Sequence, residues 1–138
     1  MTWIPVTTIA LLASLAVMNA PASHAADVKS HIIHKAQSSW DGTPYTHYPE
    51  GQPELTLVKI QIPARTKLKW HTHPIPNMAY VVSGELTVQK RDTGERITLR
   101  AGDALAELVD ISHRGVTGKH PVELLVFYAG SPNIPLSE

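Results

Sequence analysis

The chain contains no cysteine. Disulfides, thiolate metal sites and thiol nucleophiles are therefore excluded. Net charge is missing too, because 12 Lys and Arg balance 12 Asp and Glu. No basic patch argues for nucleic acid or an anionic membrane surface. Helical periodicity is lacking after the first 26 residues, where no apolar pattern of period 3.6 runs for ten residues. Internal repeats are absent. So are a Gly-rich phosphate loop, a Gly-x-Ser-x-Gly elbow and a His-Glu-x-x-His pair, which removes three common routes to catalysis.

What remains points to strands. At 138 residues the chain allows one domain, and 43% hydrophobic content is enough for a core. Eleven prolines and eight glycines fall mostly between short apolar runs, which favours an all-β chain. The runs predict strands over Glu54–Ile62, Lys67–His73, Met78–Ser83, Glu85–Lys90, Arg96–Arg100, Ala104–Val109, His113–Thr117 and Val122–Tyr128. Turns fall at Pro63–Thr66, Asp92–Glu95 and Gly102-Asp103. Val28–Ala36 reads as an edge strand or extended arm, and its His31 and His34 as solvated. Ser38–Pro53 reads as a loop carrying Trp40, Tyr45, His47 and Tyr48, which either covers a pocket mouth or, more commonly for aromatics in an irregular segment, packs on the outside of the core. Some eight short strands at regular spacing imply a sandwich or barrel.

Met1 to Ala26 carries no charged side chain. An apolar run, Ile9 to Val17, is followed by Asn19, Pro21 and then Ser23-His24-Ala25. That order suits a secretory signal peptide over residues 1–25, although the segment before the run has no Lys or Arg. The competing reading is an uncleaved anchor. The run is shorter than a bilayer span and Pro21 breaks it, so the mature chain is expected to hold no stable membrane span. The expectation is an exported, periplasmic protein with one domain over residues 26–138.

The chemistry-bearing stretch is Trp70-His71-Thr72-His73-Pro74-Ile75-Pro76-Asn77. Strand period two points both imidazoles of a His-x-His pair to one face, roughly 6.6–7 Å apart along the chain. Both rings can then reach one ion, and imidazole suits Zn, Fe, Ni and Cu alike. A surface strand with two histidines looks the same, so the pair is weak alone. It gains weight from Gly102-Asp103 and His113, where a turn and a strand can return a third imidazole. By the same alternation Lys69 shares the face of the histidines, while Leu68 and Trp70 point away.

These residues resemble the cupin superfamily. Its first motif runs Gly, five residues, His-x-His, three or four residues, Glu, six residues, Gly. His71, His73, Asn77 and Gly84 follow that spacing, with Asn77 in place of Glu and Arg65 in place of the leading Gly. The second motif runs Gly, five residues, Pro-x-Gly, two residues, His, three residues, Asn. Gly102 and His113 fit it, with Leu108 for the Pro, Asp110 for the Gly and Thr117 for the Asn. The resemblance covers about Glu54 to Tyr128. It implies an all-β fold, a single cupin-type double-sheet β-barrel of jelly-roll kind, with a metal inside one end. Carried over by position, His71, His73 and His113 are the imidazole ligands and Asn77 the fourth position.

An amide is a weaker, neutral ligand, so charge compensation is expected from elsewhere. Glu107, on an inward face opposite Ala104 and Ala106, is the candidate as ligand or general base. A pairing of Glu107 with Lys69 is the alternative, and Lys69 is also the candidate to attract an anion. The expected cofactor is one divalent metal ion per chain, with Fe, Zn, Ni, Mn and Cu not distinguished. The superfamily hosts many reactions, so fold alone does not give function. Two functions stay open. One is a metal-dependent enzyme on a small oxygenated or anionic molecule, dioxygenase-, isomerase- or lyase-like. The other is a non-catalytic metal or small-ligand binding module. A homodimer through an outward Trp70 is a further expectation.

Overall fold

Strands form where apolar and polar residues alternate between turn residues. The structure is a computed structural model that describes residues 27–138; the expected signal peptide lies outside them. The strands are β1 (Glu54–Ile62), β2 (Asn77–Ser83), β3 (Glu85–Lys90), β4 (Arg96–Arg100), β5 (Ala104–Ala106), β6 (His113–Thr117) and β7 (Val122–Gly130). They build two antiparallel sheets, one in the order β1-β7-β2-β5 and one in the order β4-β3-β6. No helix occurs among the described residues. The fold is all-β and double-sheeted.

Period two decides the core. Ala79 and Val81 of β2, Val122, Leu124, Val126 and Tyr128 of β7, Leu86 and Val88 of β3 and Leu99 of β4 form one buried cluster. Each fully buried Val or Leu contributes roughly 1.5–3 kcal/mol relative to exposure. Turn residues then set the strand ends. Gly84, between β2 and β3, has φ +84°, and a Cβ there would meet the Pro121 carbonyl oxygen at 2.3 Å. No other residue fits that close approach. At the turn between β4 and β5, Asp103 Oδ2 accepts from the Arg100 amide at 2.7 Å, which is the turn role its sequence suggests.

Val28–Ala36 is not an edge strand, which leaves the extended-arm reading, and its Ile32 and Ile33 are exposed. Two expectations need correction. Ala104–Val109 is a strand only to Ala106, because the chain then leaves the sheet. Lys67–His73 is extended but pairs with β6 only at two isolated bridges, Lys67 with Val116 and His71 with His113. Four steps on one side, from 67 to 71, meet three on the other, from 116 to 113. The extra residue is a bulge, and a bulge reverses side-chain parity. Leu68 therefore turns inward and packs against the core, contrary to simple alternation. Trp70 stays half-buried on the outside, with the Arg114 guanidinium 4.1 Å from its ring centroid.

Candidate metal centre

The bulge also lets two consecutive elements face the same interior. His71 and His73 follow it, β6 begins at His113, β2 begins at Asn77, and Glu107 comes directly after β5. Backbone bonds draw these points together. His71 and His113 exchange both amide bonds, the Glu107 amide donates to the Asn77 carbonyl, and the Asp110 amide donates to the His73 carbonyl.

The three imidazoles converge. Their ring centroids are 4.6–5.0 Å apart. Their donor atoms all lie within 4.8 Å of one another, so His71, His73 and His113 can hold one metal ion. The tautomers agree with that. Each Nδ1 sits against a backbone carbonyl: Lys69 for His71 at 2.9 Å, Leu136 for His73 at 2.7 Å, Ile111 for His113 at 2.8 Å. A carbonyl only accepts, so each Nδ1 carries the proton and each neutral ring keeps its lone pair on Nε2.

Burial holds two of the rings neutral. His113 is 2% exposed, and desolvation, with His71 and His73 beside it, pushes its pKa down to about 4 against the raising effect of the Ile111 carbonyl. His73 is lowered as well, chiefly by burial. Glu107 is 7% exposed, and burial raises its carboxyl to about 7. Its Oε2 lies 3.4 Å from His113 Nε2. Between about 4 and 7 both groups are neutral, so this contact is not an ion pair.

Three buried polar atoms have no hydrogen-bond partner here: Glu107 Oε2, His113 Nε2 and Asn77 Oδ1. The Asn77 amide nitrogen donates to the Ile75 carbonyl at 3.1 Å, which leaves its oxygen unspent. Orphaned acceptors in one interior are costly unless a cation or donor joins them. Two donors about 2.1 Å from one ion at a tetrahedral angle lie roughly 3.4 Å apart, which is the spacing of Glu107 Oε2 and His113 Nε2. The donor set therefore fits a divalent ion. A dication would also keep the Glu107 carboxylate ionised.

Lys69 stands apart from this group. Its side chain is exposed, and no ion pair with Glu107 forms; only its carbonyl serves the site, through His71. The bulge explains this, because parity cannot be carried across it. Two tyrosines that the motifs do not mark adjoin Glu107. Tyr128, at the end of β7, is buried with its ring 5.7 Å from His73. The Tyr45 hydroxyl donates to the Glu107 carbonyl at 2.6 Å. Burial and the Glu107 charge raise both phenols to about 12, so both remain protonated donors. Alternation with Val122, Leu124 and Val126 was the available signal for Tyr128; Tyr45 lies in an irregular loop and had none.

With the fold and site in place, the family follows. Residues 58–128, just over half of the chain, match the cupin domain. The chain belongs to the cupin family. Among solved structures it is similar to the DMSP lyase DddQ of Ruegeria pomeroyi, at 20% identity and TM-score 0.55, over 70% of this chain and 46% of that one. An RmlC-like cupin of Shewanella frigidimarina matches at 26% identity and TM-score 0.50, over 58% and 69% of the two chains. An oxalate decarboxylase of Lactobacillus farciminis matches at 18% identity and TM-score 0.52, over 61% and 26%. The chain spans less than half the length of the DMSP lyase structures it matches. No curated protein matches it by sequence.

Proposed function

We propose that this cupin is a metal-dependent enzyme acting on a small oxygenated or anionic molecule, in a dioxygenase-, isomerase- or lyase-like reaction. One observation carries the proposal: every Nδ1 of the three imidazoles is spent on a carbonyl, so three Nε2 lone pairs share one interior. His71, His73 and His113 would hold one divalent ion, with Asn77 and Glu107 completing its surroundings. A bound ion of this kind supplies Lewis acidity and open positions for a substrate oxygen. Glu107 Oε2 is the proton acceptor beside the imidazoles, with Tyr45 bonded to the Glu107 main-chain carbonyl and the Tyr128 ring beside His73. The structural neighbours named for lyase and decarboxylase activities support an enzyme over a scaffold.

The test is metal analysis of the purified mature chain, followed by oxygen uptake with phenols, thiols and keto acids. Iron with uptake supports the enzyme. Tight zinc or copper without turnover of any compound favours the non-catalytic binding module. Full metal content in a folded His71→Ala/His73→Ala/His113→Ala variant overturns the assignment of the site.

We further propose export to the periplasm with removal of residues 1–25, on the charge-free apolar run alone. An intact mass of the full chain in a membrane fraction would reject it. Pairing with a second copy is proposed through the outward Trp70 or through the exposed Leu55, Leu57 and Phe127 of the outer face of β1 and β7. A monomer in sedimentation at micromolar concentration would reject that.

A further inference from the structure

The three imidazoles are not held alike. His71 and His113 each bond a carbonyl two residues back, at Lys69 and Ile111. Those bonds are made within one local segment. His73 instead bonds the Leu136 carbonyl, 63 residues further along the chain, at 2.7 Å. Residues 131–138 are built to keep that carbonyl in place. Ser131 Oγ donates to the Glu50 carbonyl at 2.9 Å, and Ile134 and Leu136 pack against the core. Thr72, next to His73, exchanges both backbone bonds with Glu138 at 3.0 Å each.

We propose that residues 131–138 form a positioning strap for His73, whose Leu136 carbonyl selects the imidazole tautomer that presents Nε2 to the interior. A neutral imidazole has two tautomers, and the partner of one nitrogen decides which is populated. Without the strap, His73 alone of the three loses its partner, rotates and exchanges its proton between nitrogens. His71 and His113 keep theirs. The tautomer effect is independent of any ion; the effect on affinity rests on the metal reading above. Losing such an outer partner of a ligating histidine costs 10–100-fold in metal affinity.

The experiment uses imidazole 15N–1H correlation spectra of the metal-free protein near pH 8, above the ordinary histidine range. In the wild type all three rings are expected as the Nδ1–H tautomer. In a chain ending at Asn133, His73 alone should move towards an Nε2–H mixture, and zinc affinity should fall about 10-fold or more. A full-length Leu136→Gly variant keeps the carbonyl but removes the side chain that seats it, and should shift His73 the same way by less. It carries the test if the shortened chain does not fold. An unchanged His73 tautomer in both variants overturns the strap, and so does an equal response of all three histidines. If wild type binds no zinc while His73 still shifts, the strap stands and the metal reading falls. If wild type binds zinc and His73 does not respond, the strap alone falls.

Discussion

Glu107 Oε2 and His113 Nε2 face each other at 3.4 Å, and neither has a hydrogen-bond partner. The pair holds the only carboxylate found against the imidazoles among the described residues, since Asn77 stands where a cupin usually carries an acid. An ion held by three neutral rings needs negative charge in a low-dielectric interior. Glu107→Gln keeps the shape and removes the charge. It should weaken zinc binding about 10-fold or more, measured by competition with a chelating dye. Asn77→Ala, which removes a neutral oxygen, should cost less. Equal affinity of wild type and Glu107→Gln would show that the charge comes from hydroxide or substrate.

A second buried pair ties a loop to the barrel. Lys90 Nζ lies 2.8 Å from Asp41 Oδ2, with side chains 10% and 4% exposed. Burial alone would raise the Asp41 carboxyl. Hydrogen bonds from Lys90, Ser39 and Thr43 outweigh it and hold the group well below the usual carboxylate range. A depressed folded pKa contributes stability that is fully present above the unfolded value of about 3.9 and is lost as pH falls through the folded one. Asp41→Asn should therefore melt below wild type at neutral pH, with a gap that narrows as the pH drops below about 4. Asp41→Asn/Lys90→Met should recover part of the loss, because it leaves no unpaired buried ammonium. A melting gap that does not change with pH would count against the pair.

Much of this was readable from residues, and the failures have two physical causes. β1, β3, β4 and β6 run between the residues that alternation and turn chemistry mark, because both signals are local. The His71, His73 and His113 spacing was legible as a motif. Leu68 was misplaced because a bulge leaves no pattern in the sequence; only the two bridges to β6 reveal it. The partner of His73 was invisible for another reason. Leu136 serves through its carbonyl, and a backbone acceptor 63 residues away has no side-chain signature. The expected face of Lys69 rested on the same parity argument, and its side chain is exposed.

Thr117 shows that a departed motif position can carry a structural task of its own. It is buried at the end of β6, where the second motif has Asn. Its hydroxyl donates to the Pro63 carbonyl at 2.6 Å and accepts from the Thr66 amide at 2.9 Å, locking the Pro63–Thr66 turn before the histidines. Thr117→Val removes both bonds at nearly constant volume and should destabilise by about 1–3 kcal/mol, the cost of leaving such groups unpaired. Denaturant unfolding measures it. Thr117→Asn should retain part of the stability, and a Val variant as stable as wild type would assign the turn to other contacts.

Arg65 departs from the motif in sequence but not in backbone. It stands at the leading glycine position and has φ +54°, in the left-handed region, as does Asp110 at φ +56° where the second motif has glycine. The Arg65 amide donates to the Gly118 carbonyl at 2.7 Å, so the turn is held from outside the residue itself. A side chain in this conformation costs roughly 1–2 kcal/mol that glycine avoids. Glycine returns about 0.4–1 kcal/mol of that as extra freedom in the unfolded chain. The difference spans about 0–1.6 kcal/mol, so Arg65→Gly should stabilise by about 0.8 kcal/mol net, a rise in melting temperature of a few degrees, about 3–6 °C. Arg65→Ala, which keeps a Cβ, should give no such gain. The Arg65 side chain is exposed, so its removal uncovers no core. A lower melting temperature for Arg65→Gly than for Arg65→Ala would mean that the unfolded-state term outweighs the strain.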